Sequence, residues 1–155
     1  MNKEFVCKVK IFDTLDEAET AAIISLIKTK TYKKGETVFK EGDTNTSLYI
    51  IEEGKVKIIN EITRTEFKTL ATLTKYDAFG ELALFDKAPR SASVIASETT
   101  VIGIIEGQTF EKLLSSNSKM ASKIYKEIII EIAVRLRAGN EKLQDNITWG
   151  MIAKL

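Results

Sequence analysis

The sequence predicts a mainly β domain with helices at both ends, its strands arranged as a sandwich or a barrel. Three features predict it. Helical spacing of apolar residues is confined to the two ends of the chain; short β-rich runs crowd the stretch between them; and turn residues separate those runs.

In chain order, a first amphipathic helix is expected over 16–28, with Ala22, Ile23, Leu26 and Ile27 at helical spacing and Asp16 and Glu19 at capping-box spacing. Strands follow at 37–40, 47–52, 55–59 and 68–73, punctuated by Lys34-Gly35, Gly42-Asp43 and Glu53-Gly54. Further runs at 91–96 and 100–105 close a β region over about 37–105. Helical periodicity then returns at 109–114 and dominates over 119–144. In this last helix Ile124, Ile128, Ile132, Leu136 and Leu143 mark one stripe, which Ile129, Ile130, Ala133 and Val134 widen beyond a one-sided face. A helix so apolar calls for two partners. One is its own β body, and the other candidate is a symmetry mate, making a homodimer through this helix. Without repeats or a linker, 1–155 reads as a single domain.

Composition narrows the chemistry. The 155 residues carry 23 Lys and Arg against 22 Asp and Glu, net +1, so no global field draws the protein to nucleic acid or an anionic membrane. An anion must be recognised locally. Histidine is absent, which removes His-dependent triads and His-metal sites. Cys7 is the sole cysteine, so no internal disulfide can form, and no run approaches the roughly 18 apolar residues of a membrane span. A cytoplasmic protein is expected, one that neither crosses a membrane nor depends on a cofactor.

The segment 79–94, Phe-Gly-Glu-Leu-Ala-Leu-Phe-Asp-Lys-Ala-Pro-Arg-Ser-Ala-Ser-Val, carries the distinctive chemistry. Gly80 lets the backbone turn tightly beside a ligand, and 81–85 is long enough for about one helical turn with free N–H groups. Pro89 fixes the chain before Arg90, whose planar fork grips two oxygens of one phosphate and stays charged. Glu81 would repel a phosphate unless the ligand also presents a hydroxyl, such as a ribose 2′-OH, and Ser91 adds a hydroxyl of its own. One arginine, one carboxylate, one hydroxyl and several amides suit a singly charged, sugar-bearing ligand. No G-x-x-x-x-G-K-[ST] loop is present for a triphosphate.

This stretch closely resembles the phosphate-binding cassette of the cyclic-nucleotide-binding domain family, which includes catabolite activator proteins and regulatory subunits of cAMP-dependent kinase. The turns at 34–36 and 41–43, the hairpin at 48–56 and the helix at 110–114 are similar to that family's landmarks. The resemblance implies a jelly-roll β-barrel holding cAMP or cGMP, with cAMP favoured. It implies that Glu81 holds the ribose 2′-OH, that Arg90 holds the cyclic phosphate, and that Ser91 contacts phosphate or base, while Gly80, Leu82 and Ala83 contribute backbone groups. Tyr76 departs from the pattern, standing where the family usually has a turn glycine. The family's C-terminal helix closes over the base or forms a dimer seam. Arg135, Arg137 and Asn140 lie late enough in 119–144 to reach a base, but a solvated helix face is the favoured reading and none is assigned to the site.

The expected function is therefore a ligand-operated regulatory module, not an enzyme, which passes occupancy to an unidentified protein partner through its C-terminal helix. The alternative is an adaptor of the same fold whose pocket is empty or differently filled. A cupin-type enzyme would need histidine ligands. DNA binding is not expected, since only eleven residues follow Gln144, too few for a helix-turn-helix. The aromatic residues Phe39, Tyr49, Phe67 and Phe79 are read as core or pocket lining, and Trp149 is unassigned.

Overall fold

The computed structural model describes residues 1–61 and 67–152, with side chains described through Asn140. Leu143 and Trp149 therefore lie outside the described side chains.

Two short helical segments open the chain, α1 (Lys3–Val6) and a 3₁₀ turn (Lys10–Phe12), followed by α2 (Glu17–Leu26). The expected capping box starts α2: Glu19 N–H donates to Asp16 Oδ1 at 2.9 Å and Asp16 N–H to Glu19 Oε2 at 2.9 Å. The helix stops before Lys28, earlier than expected, because Lys28 begins a strand.

Among the described residues eight strands form two four-stranded sheets, in the orders β1-β8-β3-β6 and β2-β7-β4-β5. They are β1 (Lys28–Tyr32), β2 (Thr37–Phe39), β3 (Leu48–Glu53), β4 (Lys55–Glu61), β5 (Phe67–Thr74), β6 (Ala78–Phe79), β7 (Ser93–Ala96) and β8 (Thr100–Ile105). All described pairings are antiparallel. The β region therefore begins at 28, not 37, and the strands make two open sheets without a closed ring of pairings among the described residues.

Alternation explains the core. Tyr49 and Ile51 of β3 join Tyr32, Phe39, Val56, Phe79, Val94 and Ile102 in one buried cluster, while Leu48 and Ile50 point the other way and pack with the helices. A strand covered on both faces reads as a continuous apolar run, which is why 48–51 is Leu-Tyr-Ile-Ile. The edge strand β5 is exposed along almost its whole length, and Phe67, read as core or lining, is 56% exposed.

After β8 come α4 (Gly107–Ser116) and the long α5 (Ser118–Ile152), with the one-turn α3 (Leu82–Asp86) inserted between β6 and β7. Met120, Ala121, Ile124 and Ile128 of α5 are buried and Ile132 partly so, but Ile129 and Leu136 are 65% and 64% exposed. The apolar stripe thus enters the core only along the first part of the helix. Among the described residues no helix is long and apolar enough to cross a membrane.

Candidate functional site

Gly80 closes β6 with φ +83°, and a Cβ there would stand 2.7 Å from Arg90 Nη1 and 3.1 Å from Ser47 O. Only glycine lets the arginine approach this backbone without strain. Glu81 follows as the residue before α3, and Lys87 ends that turn in the left-handed region. Arg90 is then fixed from both sides through its backbone: its N–H donates to Asp43 O and its carbonyl accepts from Gly42 N–H, each at 2.8 Å.

All six sequence-identified residues, Gly80, Glu81, Leu82, Ala83, Arg90 and Ser91, line one cavity of about 180 Å³. Phe39, Ile58, Phe79, Ala92 and Val94 supply apolar lining, and Arg135 of α5 reaches the same space. Ser91 and Leu82 are exposed, whereas Glu81 and Arg90 are 6% and 4% exposed.

The two buried charges are treated differently. Arg90 donates from Nη1 to Gly80 O at 2.7 Å and from Nη2 to Asn45 Oδ1 and Ser47 O, both at 2.6 Å. Its guanidinium carbon lies 4.3 Å from the Phe39 ring centroid and 5.4 Å from that of Tyr49, and Tyr49 in turn stacks on Phe79 at 5.2 Å. These are neutral or aromatic partners, and Arg90 forms no ion pair among the described residues. Its Nε is buried without a partner. Burial pulls its pKa down from the usual guanidinium range, and the neighbouring Tyr49 oxygen, with the smaller pull of Glu81 and Asp43, only partly offsets this. A buried charge so weakly compensated costs several kcal/mol, roughly, until an anion joins it.

Glu81, by contrast, is paired. Arg135 Nη1 donates to Glu81 Oε1 at 2.6 Å, while Nη2 donates to Ala78 O at 3.1 Å and Glu131 Oε2 at 3.3 Å. Glu81 Oε2 has no hydrogen-bond partner among the described residues. Burial raises the pKa of Glu131, with Arg135 opposing the rise. Of the helix residues weighed from sequence, Arg135 reaches the site, whereas Arg137 turns back to Ala133 O of its own helix and is exposed. Asn45 escaped sequence reasoning because nothing in a Thr-Asn-Thr loop signals contact with an arginine 45 positions on.

Tyr76, the departure from the family pattern, adopts φ +75°, the left-handed conformation that a turn glycine would supply. The turn keeps its shape without the glycine.

The family model for the cyclic nucleotide-binding domain matches residues 29–117. The chain is 34% identical over 130 residues to a cGMP-dependent protein kinase of Toxoplasma gondii, covering 84% of this chain and 12% of the kinase. It is 31% identical over 114 residues to a cAMP-dependent protein kinase regulatory subunit of Debaryomyces hansenii, covering 74% of this chain and 24% of the subunit. The chain therefore spans a quarter or less of these two relatives. Among solved structures it resembles the regulatory domain of Toxoplasma gondii PKA crystallised with cAMP, at TM-score 0.67 and 27% identity, over 81% of this chain and 48% of that one. Apart from Lys28, the matched span holds both sheets, together with the whole 79–94 segment, and the chain belongs to the cyclic nucleotide-binding domain family.

Proposed function

We propose that residues 1–155 act as one regulatory module that binds a cyclic nucleotide and carries no catalytic activity of its own. The observation that carries this reading is Arg90, a buried cation that lines the cavity, leaves its Nε without a partner and lacks a counter-ion among the described residues. A cyclic phosphate supplies one negative charge and acceptor oxygens together. Leu82 and Ala83 add backbone amides from the first turn of α3, Ser91 adds its hydroxyl at the rim, and Glu81 Oε2 accepts the ribose 2′-OH. Apolar lining from Ile58, Ala92 and Val94 favours adenine over the more polar edge of guanine, so cAMP is the preferred ligand. The cAMP complex of the Toxoplasma gondii domain supports this choice.

Occupancy reaches α5 through Glu81. A ligand that draws on this carboxylate changes its hold on Arg135, and the two positions of the helix then differ in ligand affinity, which is what shifts their populations. The same helix exposes Tyr125, Ile129 and Leu136 on one side, a face suited to a second copy of the chain or to a protein partner. The module works in the cytoplasm without contacting DNA or membrane.

The test is calorimetric titration with cAMP, cGMP and 5′-AMP after unfolding and refolding to strip carried-over ligand. One cyclic nucleotide should bind and 5′-AMP should bind far more weakly. Failure of both cyclic nucleotides would replace this reading with the protein-interaction adaptor.

A further inference from the structure

Arg90 is aimed as well as buried. A guanidinium has five N–H donors. Three are committed here, to Gly80 O, Asn45 Oδ1 and Ser47 O, leaving Nε–H and one N–H of Nη1 for a ligand. The only side chain among these acceptors is Asn45. Its Oδ1 also accepts the Tyr49 hydroxyl at 3.1 Å, so a single amide oxygen ties the arginine to the aromatic layer behind it. The neighbouring carboxylates are engaged elsewhere. Asp43 Oδ2 accepts Lys40 N–H at 2.8 Å, and Glu81 pairs with Arg135.

We infer that Asn45 is the positioning residue of the anion site, holding Arg90 in place through a neutral oxygen so that the guanidinium is directed into the cavity without being neutralised before the ligand arrives. A carboxylate at the same position would hold the arginine equally firmly, but it would supply the counter-charge that the phosphate otherwise brings. An opposite charge at such range is worth about one to three pKa units, a factor of roughly 10 to 1,000 in the competing equilibrium. Asn45 is itself exposed while its oxygen accepts part-buried hydrogen bonds, so the lower part of that range applies. The identity of the ligand rests on the cyclic-nucleotide reading, but the charge argument does not.

Two variants separate aiming from neutrality. N45D keeps the hydrogen bond and adds the charge. In the ligand-free protein it should raise the melting temperature at pH 7 by about 2–4 °C, while lowering affinity for the cyclic nucleotide about 10- to 100-fold. The sign follows from linkage: Arg90 holds the new carboxylate below its unfolded pKa of about 3.9, so the added stability is present above that value and lost as pH falls through the folded pKa. N45A removes the hold, and both stability and affinity should fall, the latter roughly three- to tenfold. Opposite signs for stability and affinity in N45D are what a merely structural asparagine would not produce. The inference is overturned if N45D lowers both together as N45A does, or if N45D binds as tightly as the unsubstituted protein. Should the unsubstituted protein bind neither cyclic nucleotide, the ligand reading fails. The melting experiment still decides the charge argument, since an N45D protein no more stable than the original at pH 7 refutes it.

Discussion

The two ends of the cleft each present an arginine, and they are built on opposite plans. Arg90 is 4% exposed, fixed by backbone hydrogen bonds at its own position, and surrounded by neutral oxygens and aromatic rings. Arg135 is 41% exposed, comes from a helix 54 positions beyond its partner, and spans two carboxylates. The first is a charge committed to one place and lacking a partner among the described residues; the second is a paired charge that joins a part-exposed guanidinium to a buried carboxylate, so water can reach the arginine when the tie opens. The same contrast runs along α5. Its first part is anchored by buried Ile124 and Ile128 and by Lys123, whose Nζ reaches the buried Glu19 at 2.6 Å, while between Ile129 and Asn140 the helix is held by the partly buried Ile132 and by Arg135. On the function proposed above, Arg90 is the fixed contact for the anion and α5 the element whose populations the ligand shifts.

The largest test of this contrast removes Arg90. R90A should lose roughly 2–5 kcal/mol of cyclic-nucleotide binding, read by calorimetry. R90M should leave ligand-free stability unchanged or raised, because an apolar side chain of similar volume avoids the desolvation of an unpaired charge. A marked drop in the melting temperature of R90M would mean that the neutral cradle stabilises the fold, and the two ends would no longer differ in kind.

Next comes the latch. E81Q keeps the shape and removes the charge, so affinity should fall about tenfold and amide exchange should quicken in α5 from 129 onward, with 118–128 unchanged. R135A should quicken exchange in the same segment with a smaller loss of affinity. Equal acceleration along both parts of α5 would break the distinction between the anchored and latched lengths of the helix.

The fixed end was legible in the sequence and the latched end was not, for a physical reason. Gly80, Glu81, Arg90 and Ser91 lie within one short segment, where turn chemistry and charge can be read together, and all of them reach the cavity. Asn45 and Arg135 act through contacts 45 and 54 positions long, and no local pattern encodes such a meeting. Sheet elements divide the same way. The buried run of β3 announced itself, whereas β1, Lys-Thr-Lys-Thr-Tyr, is a polar edge strand paired with β8, and its Thr and Lys side chains carry no apolar alternation to detect. The four-residue α1 and the 3₁₀ turn are too short for helical periodicity to register, although their Phe5, Val6, Ile11 and Phe12 enter the core.

A smaller effect sharpens the latch through pH. Burial raises the Glu131 pKa, so the folded protein binds that proton more tightly than the unfolded chain, and the stability Glu131 contributes falls as pH rises from its unfolded pKa of about 4.3 through the raised folded value. At neutral pH the ionised group is therefore a net cost despite Arg135. E131Q should stabilise the ligand-free protein at pH 7, and the gain should vanish in acid as Glu131 becomes protonated in both states. Chemical denaturation at neutral and acid pH measures it. A loss of stability at pH 7 would show that the contact with Arg135 outweighs desolvation, making the latch a three-residue unit.

The smallest effect concerns Tyr76, just before β6, the strand whose Ala78 carbonyl accepts from Arg135. Its backbone sits at φ +75°, which costs a non-glycine residue roughly 1–2 kcal/mol. Its ring lies 4.9 Å from that of Phe5, with the ammonium groups of Lys75 and Lys8 at 5.2 and 5.9 Å, contacts that return about 0.5–1.5 kcal/mol for the aromatic pair alone. Y76G exchanges one term for the other, so its denaturation free energy should stay within about 1 kcal/mol of the original. Y76A keeps the strained backbone and loses the ring, and should be the less stable of the two variants. If Y76G proves the less stable instead, the ring holds this turn more strongly than the backbone strains it. The Ala78 contact of Arg135 would then depend on the packing of α1, extending the latch to the N-terminal helices.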